Sequence, residues 1–313
     1  MKHKIMGKLS ILLSLSILIS LFPLNAQAKT ITSNETGIHG GYNYEYWKDK
    51  GNGTMELKDG GTFSCEWDEV NNILFMKGLR FDKTKTHQEI GDISITYDCN
   101  FMPDGNSYLG VYGWTTNPLV EYYIIESWGT WKPPGSSKTM GTLTIDGGVY
   151  DIFEFTRTRS GGFAFAAIMG RVNYKQYYSV RQEKRTSGTV SVSEHFKALE
   201  ALGAKMGKLY DVNFTVEGYQ SRGKADVTEM YIDIEPYPTI LGDVNSDKKV
   251  DALDFGMLRL YLIGSISSVS ANADVNQDGS IDSIDFGMLR KHLLGMIKLG
   301  TTTPTTSAVT LSP

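Results

Sequence analysis

Cysteine is scarce: Cys65 and Cys99 are the only two in 313 residues. One pair cannot make the disulfide framework of a small secreted domain, and the sequence leaves open whether these two are bridged or remain thiols. There is no C-x-x-C and no H-E-x-x-H, and the five histidines are scattered, so a zinc centre has no support. G-x-S-x-G is also missing, which argues against a serine hydrolase of the nucleophile-elbow kind. The net charge is −4 and no basic run occurs, so a nucleic-acid partner is not expected. Past residue 28 no segment is apolar enough to cross a bilayer, so no membrane partner is expected either.

What is present begins with a leader. "MKHKIMGK" is basic, "LSILLSLSILISLFPL" is apolar and "NAQA" ends in a small-residue pattern. This is the layout of a signal peptide over 1–28, cut after Ala28, and it implies secretion; a retained anchor is the rival reading. From 37 to 236 the chain is rich in Gly, Tyr, Thr, Val and Trp, with alternating runs such as "TMELKDGGTFSCEW" and "GTLTIDGGVYDIFEF" broken by turn residues. These predict an all-β domain of two stacked antiparallel sheets, a jelly roll or sandwich. One helix is expected in it, over "SVSEHFKALEALGAKMG", capped by Ser193 and with Phe196, Leu199 and Leu202 on one face. A short junction follows at 237–241, then a duplicated segment at 242–296, and a Thr/Pro-rich tail at 297–313 expected to be disordered.

Residues 117–129, "NPLVEYYIIESWG", put two glutamates into a run of β-branched and aromatic residues. Alternation along a strand places Glu121 with Tyr123 and Ile125, and Glu126 on the opposite face with Val120, Tyr122 and Ile124. The two carboxylates therefore have different jobs. Upstream, "VYGW" puts Tyr112 and Trp114 on a common face. Downstream, "DVNFTVEGYQSRG" sets Asn213, Thr215, Glu217 and Tyr219 opposite Val212, Phe214 and Val216. A sheet face of Glu, Tyr, Trp, Thr and Asn suits a sugar, and two carboxylates across it suit glycosidic hydrolysis. On composition alone, a solvated face with two ordinary glutamates is the favoured reading, since isolated Glu residues are usually at the surface.

"PLVEYYIIESWG", "VYGW", "YKQYYSVRQ" and "VEGYQSRG", in this order, resemble the glycoside hydrolase family 11 xylanases, and the likeness extends over 40–236 through "GGYNYEYWKD" and "NNILFMKGLRF". The resemblance implies a jelly roll that cuts internal β-1,4 bonds of xylan with retention and no catalytic cofactor. It assigns Glu121 as nucleophile and Glu217 as general acid/base, with Tyr123 and Gln176 bonding around the nucleophile. Asn72 matches the position beside the acid/base and implies near-neutral activity. Tyr112 matches a tyrosine at the sugar being cleaved, and Trp47 a stacking residue; Tyr219 belongs to the same group of substrate contacts. Arg157 matches the arginine at the base of a closing hairpin, with Arg159 a rival. Two departures stand out: Ala166-Ala167-Ile168 replaces a Pro-Ser-Ile tip, in a longer hairpin, and Tyr178 replaces a common Trp. The altered hairpin keeps a jelly-roll β-glucanase open as an alternative, and a carbohydrate-binding protein without catalysis is a further one.

The duplicated segment reads "DVNSDKKVDALD-FGMLRLYLIG" and "DVNQDGSIDSID-FGMLRKHLLG". Oxygens recur at loop positions one, three, five, nine and twelve: Asp243, Asn245, Asp247, Asp251 and Asp254, then Asp274, Asn276, Asp278, Asp282 and Asp285. With the carbonyls of Lys249 and Ser280 at position seven, this spacing is expected to wrap two Ca²⁺ ions. Gly279 supplies the turn at position six of the second loop, whereas Lys248 must adopt a left-handed conformation there in the first, at roughly 1 kcal/mol. A helix is expected after each loop, with Phe255, Leu258, Leu262 and Phe286, Leu289, Leu293 packing together. Two loop–helix units of this kind resemble a type I dockerin. The resemblance implies a cohesin partner on a scaffoldin, with contacts from Ala252, Leu253, Arg259 and Leu260 in one repeat and Ser283, Ile284, Arg290 and Lys291 in the other. It also implies an extracellular, cellulosome-associated location; a monomer is the default expectation.

Overall fold

The computed structural model describes residues 27–159, 172–237 and 239–302. Most of the expected leader, the Ala166-Ala167-Ile168 hairpin tip and the tail beyond Thr302 lie outside the described residues.

The first part holds fourteen strands in one continuous hydrogen-bonded system. They are β1 (Lys29–Ile31), β2 (Glu35–His39), β3 (Tyr42–Lys48), β4 (Asn52–Leu57), β5 (Phe63–Asp68), β6 (Asn72–Arg80) and β7 (Asp92–Thr116). After them come β8 (Val120–Trp128), β9 (Gly141–Ile145), β10 (Gly148–Arg159), β11 (Val172–Arg181), β12 (Ser187–Val190), β13 (Lys208–Leu209) and β14 (Asp211–Glu235). The long strands β7 and β14 have 25 residues each and pair antiparallel, with register shifts between Tyr219 and Arg222 and between Val227 and Glu229. A straight strand of that length would run ~80 Å, so the ribbon bends and its halves serve two layers.

One layer joins β1, β4, β5 and β12 to the ribbon through Gly223–Val227 and Ile95–Asp98. The other runs β2-β3-β6-β14-β7-β8-β11-β10-β9 and uses Asp211–Tyr219 and Tyr108–Thr115 of the ribbon. The expected antiparallel sheets are realised except at β8–β11, which pair in parallel. The reason is order: β9 and β10 lie outside β11, so β11 enters beside β8 running in the same direction.

Between the layers the alternating apolar residues interlock. Tyr46 and Phe75 stack at 5.1 Å, Tyr97 lies against Phe214 at 4.5 Å, and all four are fully buried. Burying side chains of this kind contributes about 1.5–3 kcal/mol each. Lys77 is also enclosed here. Its Nζ donates to the carbonyls of Lys58, Gly60 and Thr62 in the β4–β5 turn, tying one layer to the other. Burial pushes its amine down to about 8.

Several sequence expectations change. A helical turn α1 (His87–Ile90) accompanies the expected helix α2 (Val192–Ala201), so the described residues of the domain hold two helices. The N-cap of α2 is Ser191; Ser193 is buried inside it and bonds the backbone of Gly91 and Ile93. Leu202 lies past the end of the helix and is exposed, while Phe196 and Leu199 are buried as expected. Because β1 and β2 are ordinary members of the sheets, the domain begins before residue 37. Cys65 and Cys99 are buried thiols facing Ala225 and Val227 from opposite sides of β14, so a strand separates them and they are not bridged.

The second part contains α3 (Ala252–Leu262) and α4 (Ser283–Leu293). A two-stranded pairing of β15 (Thr239–Ile240) with β16 (Thr301–Thr302) closes its two ends. Residues 239–240 and 297–302, read from sequence as linker and tail, thus belong to this unit.

Candidate active site

The outward face of the second layer is aromatic. Tyr112, Tyr123, Ile125, Phe153, Tyr178 and Val180 form its floor, with Trp47, Tyr108, Trp114, Trp128 and Phe155 packed partly buried around it. Register lines these residues up across three strands. Trp114, Glu121 and Gln176 face one another on β7, β8 and β11, and Tyr112, Tyr123 and Tyr178 form the next row. The rings of Tyr123 and Tyr178 stack at 4.7 Å.

Glu121 is buried, and both of its oxygens are held by donors. Tyr112 Oη donates to Oε1 at 3.0 Å and Gln176 Nε2 donates to Oε2 at 2.7 Å. The direction of each bond is set by a further donor. Trp114 Nε1 donates to Tyr112 Oη at 2.7 Å, which leaves the phenolic proton for Glu121. Arg157 Nε donates to Gln176 Oε1 at 2.7 Å, which turns the amide N–H toward Glu121. An indole and a guanidinium are donors only, so neither chain can run backwards. Burial, then the charge of Glu121, pushes the Tyr112 hydroxyl up, so it remains a proton donor at neutral pH. Donors aimed at both oxygens favour the ionised carboxylate.

Glu217 stands in the opposite condition. It lies on β14, in register with Leu74 of β6 and Tyr108 of β7. Burial first, and then the charge of Glu121, pushes its carboxyl up to about 8, while a hydrogen bond with Tyr123 opposes the rise. Its Oε2 is buried with no partner, as is Oδ1 of Asn72, a diagonal neighbour on the same face. An unpartnered buried carboxyl oxygen is costly unless something else occupies the site.

Glu126 occupies the other side of β8. Between Leu109 and Gly110 of β7 the register slips, so Glu126 is the extra residue of a bulge. A side chain on Gly110 would meet the Ile124 carbonyl at 2.1 Å, which is why glycine stands beneath the bulge. Glu126 is fully buried, accepts from Tyr97 Oη at 2.9 Å and Tyr150 Oη at 2.6 Å, and pairs with Arg185. It belongs to the interior of the sandwich.

In the second part, both loops close in the same way. Asp254 and Asp285 are fully buried, and their oxygens accept from the N–H groups of Val244, Asn245 and Asp251, and of Val275, Asn276 and Asp282. Lys248 and Gly279 both have positive φ, 68° and 89°, so the lysine does take the left-handed turn. Burial, then the charges of Asp254 and Asp247, push the Asp243 carboxyl up: the carboxylates of this loop crowd one another, as a cation site requires. Asp251 and Asp282, read as position-nine ligands, are the N-caps of α3 and α4, accepting from Leu253 and Ile284. The helices pack as expected through Phe255 and Phe286, stacked at 4.1 Å, and through Leu258 and Leu289; Leu293, by contrast, is exposed.

Residues 39–228 match the model of glycosyl hydrolases family 11. The chain belongs to that family. Residues 241–294 match the dockerin type I domain. An endo-1,4-beta-xylanase A of Bacillus pumilus is 54% identical over 215 residues, covering 69% of this chain and 90% of the relative. An endo-1,4-beta-xylanase A of Thermoclostridium stercorarium is also 54% identical, over 230 residues; the match takes in 74% of this chain but only 34% of that protein. Another T. stercorarium relative of the same name is matched over 44% of its length. The family 11 xylanase structure from Neocallimastix patriciarum has a TM-score of 0.60 at 39% identity, covering 66% of this chain and all of that one.

Within the family 11 domain, the face brings together Glu121, Glu217, Tyr112, Tyr123, Gln176, Arg157 and Trp47, while Asn72 and the exposed Tyr219 sit opposite each other at its β6–β14 edge. Tyr112, expected at the sugar, donates to Glu121, and Tyr123, expected beside Glu121, bonds Glu217. Arg157 holds Gln176, while the side chain of its rival Arg159 lies outside the described residues. Sequence reasoning missed the part played by Trp114; only its shared face with Tyr112 hinted at it. Asp211 was missed too: buried beside this row, it accepts from Trp114 N at 2.8 Å, and burial pushes its carboxyl up to about 7. In the dockerin all eight expected cohesin-contact residues are exposed.

Proposed function

We propose that this chain is a secreted endo-β-1,4-xylanase, monomeric, that cleaves xylan with retention and is carried to a cellulosome by its dockerin. The observation that carries the reading is the contrast between two carboxyls on one aromatic face. Glu121 has donors on both oxygens and is fitted to attack the anomeric carbon as a carboxylate. Glu217 is raised to about 8 and so carries a proton at neutral pH for the leaving glycosidic oxygen. In the first step the C–O bond breaks, the proton of Glu217 goes to the departing sugar, and Glu121 becomes esterified. In the second, Glu217 takes a proton from water, the hydroxide adds to the anomeric carbon and Glu121 is released. This requires the carboxyls to be about 5 Å apart. The names of the relatives support xylan as the polymer.

The test is reducing-sugar release from xylan and from carboxymethylcellulose. Xylan alone is expected to be cut. Since the productive form has Glu217 protonated and Glu121 ionised, kcat/KM is expected to fall about tenfold per unit above pH 8 and to fall again on the acid side, where Glu121 takes up a proton. Release from carboxymethylcellulose but not xylan would move the reading to a β-glucanase. Release from neither by folded protein would leave a binding role.

The dockerin loops fit calcium. Asp243, Asn245, Asp247, the Lys249 carbonyl and Asp254 would hold one ion; Asp274, Asn276, Asp278, the Ser280 carbonyl and Asp285 would hold the other. Bound Ca²⁺ would neutralise the crowded carboxylates and fix the loops against α3 and α4. A chelator is therefore expected to lower the melting transition of this unit and to abolish cohesin capture, leaving the transition of the family 11 domain in place. Calcium at one hundred times its Kd restores about 2.7 kcal/mol per site. Calorimetry with and without chelator checks this; a dockerin transition indifferent to Ca²⁺ overturns it.

A further inference from the structure

Beyond Ile125 and Val180, the aromatic face continues into a basic cluster. Trp128, at the end of β8, packs against the floor, and two ammonium groups stand over its ring: Lys132 Nζ at 5.0 Å and Lys184 Nζ at 5.3 Å. An indole attracts cations through its quadrupole, so the ring acts as a mount for both. Lys184 is further fixed by donating to the Gly129 carbonyl at 3.1 Å. The anion facing them is Asp151, which pairs with Lys132 at 3.5 Å and accepts from Gln182 at 2.8 Å. Among the described residues Lys184 has no carboxylate within ion-pair distance, so its charge is left without an anion.

The neighbourhood ties this cluster to the chemistry. Tyr108 is opposite Glu217 in register, and opposite Trp128 on its other side. Trp131, 43% exposed, lies with its ring 6.3 Å from that of Tyr108. Its flat apolar surface suits a pyranose ring, and its chain neighbour is Lys132.

We propose that Lys132 and Lys184 form a subsite for a carboxylate-bearing sugar, a uronate side group on the xylan backbone. The inference rests on the xylanase reading and deepens it. A neutral pentose side group can accept hydrogen bonds from the ammoniums but brings no charge, whereas a uronate supplies the missing negative charge and accepts their N–H donors more strongly.

The experiment compares initial rates of the full chain, with Ca²⁺ present, on a uronate-substituted xylan and on the same xylan with its carboxyls reduced to alcohols. The expected kcat/KM ratio is about fivefold in favour of the uronate polymer, the size that two partly exposed ion pairs supply, and it shrinks as salt is raised. The ratio falls to about one in Lys132→Ala/Lys184→Ala and is kept in Lys132→Arg/Lys184→Arg. Equal wild-type rates on the two polymers, or a preference that survives in the double alanine variant, overturn the subsite while leaving the xylanase standing. Turnover of neither polymer removes the xylanase reading and the subsite together.

Discussion

Glu121→Gln is expected to yield a folded protein that releases almost no sugar from xylan. The amide is nearly isosteric, but it is a poor nucleophile and presents only one oxygen to the two donors that Tyr112 and Gln176 aim at this position. Removing a nucleophile from machinery that acts as a unit costs roughly 10⁴-fold or more in kcat, equivalent to over ~5 kcal/mol of barrier. Stability should hold or rise, because the charge of Glu121 is one of the two causes that push up Glu217. The measurement is kcat on xylan beside a thermal melt. Residual activity within tenfold of wild type would remove Glu121 from the chemistry, and a large loss of melting temperature would mean that its role is structural.

The reverse outcome is expected for the other glutamate of the same strand. Glu126→Ala leaves Arg185 without its buried counter-ion and the hydroxyls of Tyr97 and Tyr150 without an acceptor. Breaking a buried pair in this way costs about 3–5 kcal/mol. In a domain of this size the melting temperature should fall by on the order of 10 °C. Below its melting transition the variant should still turn over xylan, because Glu126 faces away from the cleft. Urea titration gives the energy, and a specific activity corrected for folded fraction gives the second half. If activity per folded molecule drops a hundredfold, the two faces of β8 are not independent.

That division of labour was legible in the sequence, because strand alternation needs no tertiary information. The bulge at Glu126 was not: it is a property of pairing with β7, and the signal, Gly110, lies on the partner strand. The two carboxyls followed from motif resemblance, but the bonds of Tyr112 to Glu121 and of Tyr123 to Glu217 depend on where each curved strand delivers its hydroxyl. Elements of two to four residues, such as α1, β1 and β15, are too short to show a period, so they and the domain ends they define went unread. The two loop–helix repeats were legible because their spacing is local. The capping role of Asp251 and Asp282 was hidden by the same closeness, since the end of each loop is also the start of its helix. Lys132 and Lys184 converge on Trp128 from different segments of chain, and no linear pattern marks such a cluster.

The parallel pairing of β8 with β11 has a bearing on how the site is assembled. Glu121 and the amide that orients it are 55 positions apart, and no hairpin joins their strands. In the sheet β9 and β10 lie outside β11, which pairs directly with β8. Non-local pairings of this kind are slow, because loop closure must precede any gain from contact. The bond from Gln176 to Glu121 thus carries a loop-closure cost over 55 positions that no local turn reduces.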